Sequence, residues 1–286
     1  MPVSPQALAF WAAMRAADRQ VDLPVAARRA AGEHAEDATS VAAGVRETPW
    51  PAGDGLRVTA ASPRSRVLYL FGGGYVLGSP ASRRRTAGHL AVAADAEVFL
   101  SGYRLAPEHP HPAALEDVLT AYARLDPPAF VAGDSSGGGL ALALALAAPS
   151  AGLPPPTGVV CLSPWADLTC SGSTMDSHVD RDIECTRASL LEMAGWYGGD
   201  HDPRDPLVSP AFADFAGFPP VLVLVGSEEV LLSDALAVAG GVGAAGGDAT
   251  LRIAAGMQHT YPIWCGAFPE ADAAMREAGD WIRARS

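Results

Sequence analysis

Apolar positions along the chain follow two rhythms. Over residues 5–37 (PQALAFWAAMRAADRQVDLPVAARRAAGEHAED) they recur at helical spacing and predict two short helices broken near Leu23-Pro24. Further on, short β-branched or aromatic runs bounded by Gly and Pro alternate with Ala-rich helical stretches. The runs are Val67–Phe71, Glu97–Ser101, Ala129–Ala132, Gly158–Leu162, Pro220–Val225 and Thr250–Ile253. Several are apolar throughout, the pattern of parallel strands covered on both faces. Strand–helix alternation of this kind predicts an open α/β sheet with helices on both sides. Residues 166–216, rich in Asp, Gly and Pro with a helical patch at Arg187–Tyr197, interrupt the alternation. An insertion covering the ligand edge of the sheet fits that position. No repeat of 20–50 residues is visible.

Composition narrows the class. The chain has 286 residues, 49% hydrophobic and 18% charged, enough apolar mass for a sizeable core and too much for a disordered chain. A net charge of −12 lacks the basic face that nucleic acid requires. All 20 basic residues are Arg, and with abundant Ala and Gly this suggests a GC-rich bacterial coding bias. Cys161, Cys170, Cys185 and Cys265 form no C-x-x-C pair, so neither a metal site nor a disulfide framework is expected. The N-terminus lacks the basic and apolar regions of a secretory signal. The apolar run Leu140 to Ala148 is about half the roughly 20 residues of a membrane span. The expectation is a cytoplasmic protein bound to neither membrane nor nucleic acid, with no cofactor and with a homodimer left open.

Gly133-Asp134-Ser135-Ser136-Gly137 matches G-x-S-x-G, weak as a pentapeptide in a chain with 30 Gly. Its setting is stronger: it follows the strand AFVA and opens the helical run GGLALALALAA, the strand–turn–helix of a nucleophile elbow. Gly72, Gly73 and Gly74 follow the strand VLYLF, where backbone N–H groups can approach a ligand closely and form an oxyanion hole. Gly241 to Gly246 satisfies G-x-G-x-x-G, but after a helix and before a strand, the reverse of a dinucleotide site. It reads as a helix end and loop.

With these motifs in order, the chain resembles the bacterial hormone-sensitive-lipase-like esterases of the α/β-hydrolase fold. Tyr103 to Pro110 (YRLAPEHP), the elbow GDSSGG, Ser163 to Thr169 (SPWADLT) and Gly256-Met257-Gln258-His259 are similar to that family's segments. The resemblance implies a mostly parallel sheet of about eight strands with helices on both faces and a helical cap. It implies a cap segment at 1–44 and a catalytic domain at 45–286, with 166–216 as a cap insertion. It also implies Ser135 as nucleophile, His259 as general base, and Gly73, Gly74 and Ser136 as oxyanion donors. The acid follows the strand PVLVLV. Ungapped register from Pro219-Pro220 selects Glu229, where the family usually has Asp; Glu228 is the rival, and Asp234 lies too far along the next helix.

The first residue of the glycine loop is Phe71 where the family has His, which puts the loop's anchoring in question. Tyr75 and Trp165 are expected to contact substrate, with Phe10, Trp11, Trp196 and Tyr197 as further pocket walls or plain core. Asp167 is expected to brace a turn. Arg83-Arg84-Arg85 reads as a solvated helix face, His109 and His111 as structural, and His34, His89, His178 and His201 as surface histidines. Three functions are compatible with these residues: hydrolysis of small to medium acyl esters, acyl transfer or lactone formation by the same triad, and a non-catalytic receptor of the same fold. His259 in its motif favours an enzyme.

Overall fold

The computed structural model describes residues 2–17, 23–32, 35–51 and 54–286. His34 lies outside them. Eight strands among the described residues form one sheet: β1 (Arg46–Trp50), β2 (Gly55–Thr59), β3 (Ser65–Leu70), β4 (Ala96–Leu100), β5 (Phe130–Asp134), β6 (Val159–Leu162), β7 (Val221–Gly226) and β8 (Ala249–Ala254). Their order is β1-β2-β4-β3-β5-β6-β7-β8. β2 runs antiparallel to β1 and β4, and every other pairing is parallel. The helices are α1 (Pro5–Ala16), α2 (Val25–Gly32), α3 (Arg84–Ala94), α4 (Ala113–Tyr122), α5 (Ser136–Ala147), α6 (Thr174–Ser177), α7 (Arg187–Gly198), α8 (Leu232–Ala244) and α9 (Pro269–Arg283).

The unbroken apolar runs follow from this layering. Leu68 and Leu70 enter one core and Val67 and Tyr69 the opposite one, so successive residues of β3 are buried on opposite faces. All six predicted strands are present, shifted by a residue or two. β1 and β2 lacked that signal because they stand at or next to an edge. β1 is largely solvated and carries Pro49, which an interior strand would not tolerate. The G-x-G-x-x-G run is the C-terminal end of α8 and its exit turn, with Gly246 at positive φ.

The two N-terminal helices go to different places. Ser4 caps α1 by accepting the N–H of Ala7 and donates from its own N–H and hydroxyl to Glu270 at 2.7 and 2.8 Å, fixing α1 to the start of α9. Phe10 and Trp11 pack on Trp264 and Phe268 there, so these two rings belong to a core and not to a pocket wall. α2 instead faces the glycine loop: Arg29 donates to the carbonyls of Val76 and Ala106 and forks onto Glu108. Its neighbour Arg28 reaches Glu192 on α7.

The arginine run also departs from expectation. Arg83 is mostly buried and forks onto the fully buried Asp134, which also accepts from the Tyr69 hydroxyl at 2.9 Å. Removing one partner of such a pair would strand a buried charge. Arg85 ties the 37–39 segment to α3.

Candidate active site

The elbow is built by backbone crowding. Ser135, between β5 and α5, has φ 52° and ψ −123°, a conformation that costs an L-residue roughly 1–3 kcal/mol and turns its side chain out of the sheet edge. The chain then doubles back so tightly that a Cβ on Gly133 would stand 2.2 Å from the Gly137 carbonyl oxygen. A Cβ on Gly137 would stand 2.1 Å from the Leu70 oxygen. Glycine is therefore required at both flanks of the motif. The Ser135 N–H donates to Leu162 O at 2.9 Å, continuing the ladder to β6, and α5 begins directly behind the hydroxyl.

His259 enters from the loop after β8. Its Nε2 lies 2.9 Å from Ser135 Oγ and its Nδ1 2.9 Å from Glu229 Oε2. Glu229, fully buried after β7, also accepts from Ser163 Oγ at 2.6 Å and from the Gly226 N–H at 2.5 Å. Ser163 in turn accepts the Thr260 N–H at 3.0 Å. One hydroxyl thus braces both the acid and the residue after the histidine, a role its motif did not reveal. Glu228 points elsewhere, forked onto Arg181 at 2.8 Å on both oxygens. Asp234 is buried and accepts the N–H groups of Ala166 and Asp167, and burial pushes its carboxyl up to about 8. Asp167 braces its turn through Thr169 and Ser171.

Burial raises the Glu229 carboxyl above its ordinary range, against the pull of His259, Ser163 and the Gly226 N–H. For His259, burial opposes the imidazolium, but Cys185 and Glu229 outweigh it and raise the group well above 6.5. Burial also pushes the Cys185 thiol up to about 11.

The glycine loop sits beside Ser135: a Cβ on Gly72 would meet Ser135 Cβ at 3.0 Å. Gly73 and Gly74 have φ of +129° and +65°, and among the described residues no acceptor engages their N–H groups or that of Ser136. Phe71 is anchored without an imidazole. Its ring stacks on Tyr103 at 4.2 Å and its carbonyl accepts the Tyr103 hydroxyl at 2.6 Å. The Tyr75 N–H donates to Ser136 Oγ at 3.2 Å, tying the loop to the elbow.

Tyr75 and Trp165, expected against substrate, are instead sealed in the core at 2% and 0% exposure. Tyr75 stacks on Tyr197 at 3.7 Å, and the Trp165 indole N–H donates to Asp167 O. They support the site from behind. A side chain that lies against the glycine loop is Met193 of α7, whose Sδ stands 2.1 Å from where a Gly74 Cβ would be. A single methionine in a helical patch carried no sequence signal for that placement. A separate cavity of about 510 Å³ lies behind Phe71, bordered by Tyr103, Arg104 and Arg124, and Ser135 is not on its wall.

Comparison with known proteins agrees with this architecture. Residues 67–263 match the family described as alpha/beta hydrolase fold. An acetyl-hydrolase of Streptomyces hygroscopicus is 44% identical over 223 residues, covering 76% of this chain and 75% of that protein. An esterase of Acinetobacter venetianus is 31% identical over 231 residues, covering 77% and 75%. The crystal structure of an esterase from the bacterial hormone-sensitive lipase family superposes with a TM-score of 0.93 at 33% identity, covering 100% of this chain and 99% of that one. Among the described residues no helix is long and apolar enough to cross a membrane. Sheet order, elbow and relatives lead to one assignment: the chain belongs to the α/β-hydrolase fold family, in its hormone-sensitive-lipase-like branch, and is a carboxylesterase.

Proposed function

We propose that the protein hydrolyses small to medium acyl esters through a Ser135–His259–Glu229 triad, with Gly73, Gly74 and Ser136 as oxyanion donors. The continuous chain from Ser135 Oγ through both ring nitrogens of His259 to Glu229 carries this reading. Ser135 Oγ attacks the ester carbonyl while Nε2 takes its proton. The carbonyl oxygen becomes an oxyanion and accepts the N–H groups of Gly73, Gly74 and Ser136, at the positive end of α5. Collapse breaks the bond to the alcohol, which leaves with the proton from Nε2. A water then attacks the acyl carbon while Nε2 takes one of its protons, and collapse breaks the bond to Ser135 Oγ, which takes that proton back as the acid leaves.

Glu229 accepts the Nδ1 proton, which fixes the tautomer with Nε2 free, and stabilises the imidazolium formed in each half-reaction. α2 and the 166–216 segment form the cap, since both contact the glycine loop. Met193 over Gly74 restricts the acyl space, in keeping with the acetyl-hydrolase among the relatives. The test is hydrolysis of p-nitrophenyl esters from two to twelve acyl carbons by wild type and Ser135→Ala. Turnover should favour the short half of the series and fall by about 10⁵–10⁶ in the variant. Equal turnover by Ser135→Ala would refute the serine mechanism.

A further inference from the structure

The segment Arg181–Cys185, inside the 166–216 insertion, makes an unusual set of contacts. It touches the residues on both sides of Glu229 and the residue before His259. Arg181 forks onto Glu228. The buried Asp182 accepts the N–H of Val230 at 2.9 Å on one oxygen, and those of Glu184 and Cys185 at 2.8 Å on the other. Gln258 closes the other flank: its Oε1 accepts the Ile183 N–H and its Nε2 donates to Arg181 O, both at 3.1 Å. The loops after β7 and β8 share few bonds with each other. The Glu228 N–H reaches Met257 O, and Ser227 Oγ accepts the Gly256 N–H.

We propose that Arg181–Cys185 is a strap that sets the separation of Glu229 and His259, with Asp182 as its principal positioning residue. This inference rests on the triad reading above. The strap belongs to the cap insertion, so the acid–base pair is aligned by the cap and not by the sheet alone. Asp182 itself bonds to neither triad side chain; the strap acts through Val230, through Gln258 and through Cys185, whose N–H Asp182 accepts and whose thiol stands against His259. A displacement of about 1 Å in such a pair is enough to cost on the order of 10² in turnover.

Asp182→Asn keeps the shape but replaces one acceptor oxygen with an N–H₂, so one arm of the strap is lost. Its kcat is measured per active site titrated with a p-nitrophenyl phosphonate, so that unfolded enzyme is not counted. The expected result is a kcat about 10- to 100-fold lower with KM within about threefold. The acid limb of kcat/KM should also move to lower pH, both because a displaced Glu229 favours the imidazolium less and because a nearby negative charge is lost. The titratable groups around that imidazole are Glu229, Glu184, Cys185 and Asp182 itself, whose charge raises both Glu184 and Cys185, so kcat per titrated site, and not the pH limb, separates positioning from loss of charge. A merely structural role would lower Tm and leave kcat per titrated site unchanged; that result overturns the proposal.

If Asp182→Asn does not fold, Arg181→Ala removes the partly exposed ion pair to Glu228. It should lower kcat per titrated site about two- to fivefold with the same direction of pH shift, and wild-type values would overturn the strap equally. Ser135→Ala in the same series separates the two layers. An active Ser135→Ala removes the triad reading, whereas an inactive one beside a wild-type-like Asp182→Asn removes only the strap.

Discussion

The two halves of the triad proposed above are held by different means. On the nucleophile side, Ser135 is placed by main chain: a central strand, a turn with no room for a Cβ on either flanking glycine, and the first turn of α5. On the acid–base side, Glu229 and His259 stand on loops after β7 and β8, and their geometry depends on Ser163, Asp182 and Gln258. The first arrangement is local in sequence and rigid by packing. The second is assembled by side chains from segments far apart in the chain, so it can be tuned one hydrogen bond at a time.

The contrast predicts that the nucleophile side fails through backbone changes and the acid–base side through polar side-chain changes. Gly137→Ala should have the largest effect. The added methyl would stand 2.1 Å from a backbone carbonyl of β3, and no side chain can rotate away to admit it. Soluble yield or Tm should collapse with activity; a variant that melts and turns over like wild type would show that the elbow is not tightly packed. Ser163→Ala should come next, with a fold close to native and a kcat about 10² lower. It removes one hydrogen bond to an ionised carboxylate and one acceptor beside His259, each worth about 1–3 kcal/mol. Steady-state kinetics with unchanged kcat would mean that Gly226 and His259 hold Glu229 unaided.

The smallest effect should come at the seam between the two sides. Ser136→Ala leaves the backbone N–H in the proposed oxyanion hole but deletes the acceptor for the Tyr75 N–H. A fewfold loss in kcat is expected, because Phe71 and Tyr103 still anchor the loop. A loss above about 10² would show that the Ser136 hydroxyl, and not the Phe71–Tyr103 stack, is what fixes the glycine loop.

The same contrast explains what the sequence made legible. The elbow, the six inner strands and the register selecting Glu229 over Glu228 all rest on local pattern, and the structure has Glu229 on the imidazole and Glu228 on Arg181. Aromatic residues misled, because a large ring near a motif gives the same sequence signal in a pocket wall as in a core. Tyr75 and Trp165 proved to be core, as did Phe10 and Trp11. Arg83 looked solvated because its partner, Asp134, lies 51 residues away. Asp182 and Met193 matter through contacts that only the folded chain creates, and nothing in their neighbourhoods announced them, while Ser163 opened the SPWADLT segment without that segment revealing its role.

The most direct test of the account is the pair Glu229→Gln and Glu228→Gln, each followed across pH. Glu229→Gln should lower kcat by about 10⁴ with little change in KM, while Glu228→Gln stays within about tenfold of wild type. His259 must be neutral to accept the Ser135 proton, so activity rises as pH rises through its pKa. In wild type that limb should lie above 6.5, where Cys185 and the buried Glu229 carboxylate together outweigh the cost of burial. Loss of the carboxylate should move the limb down in Glu229→Gln alone. A crippled Glu228→Gln beside a healthy Glu229→Gln, or a limb that stays in place in both, would contradict the triad described here.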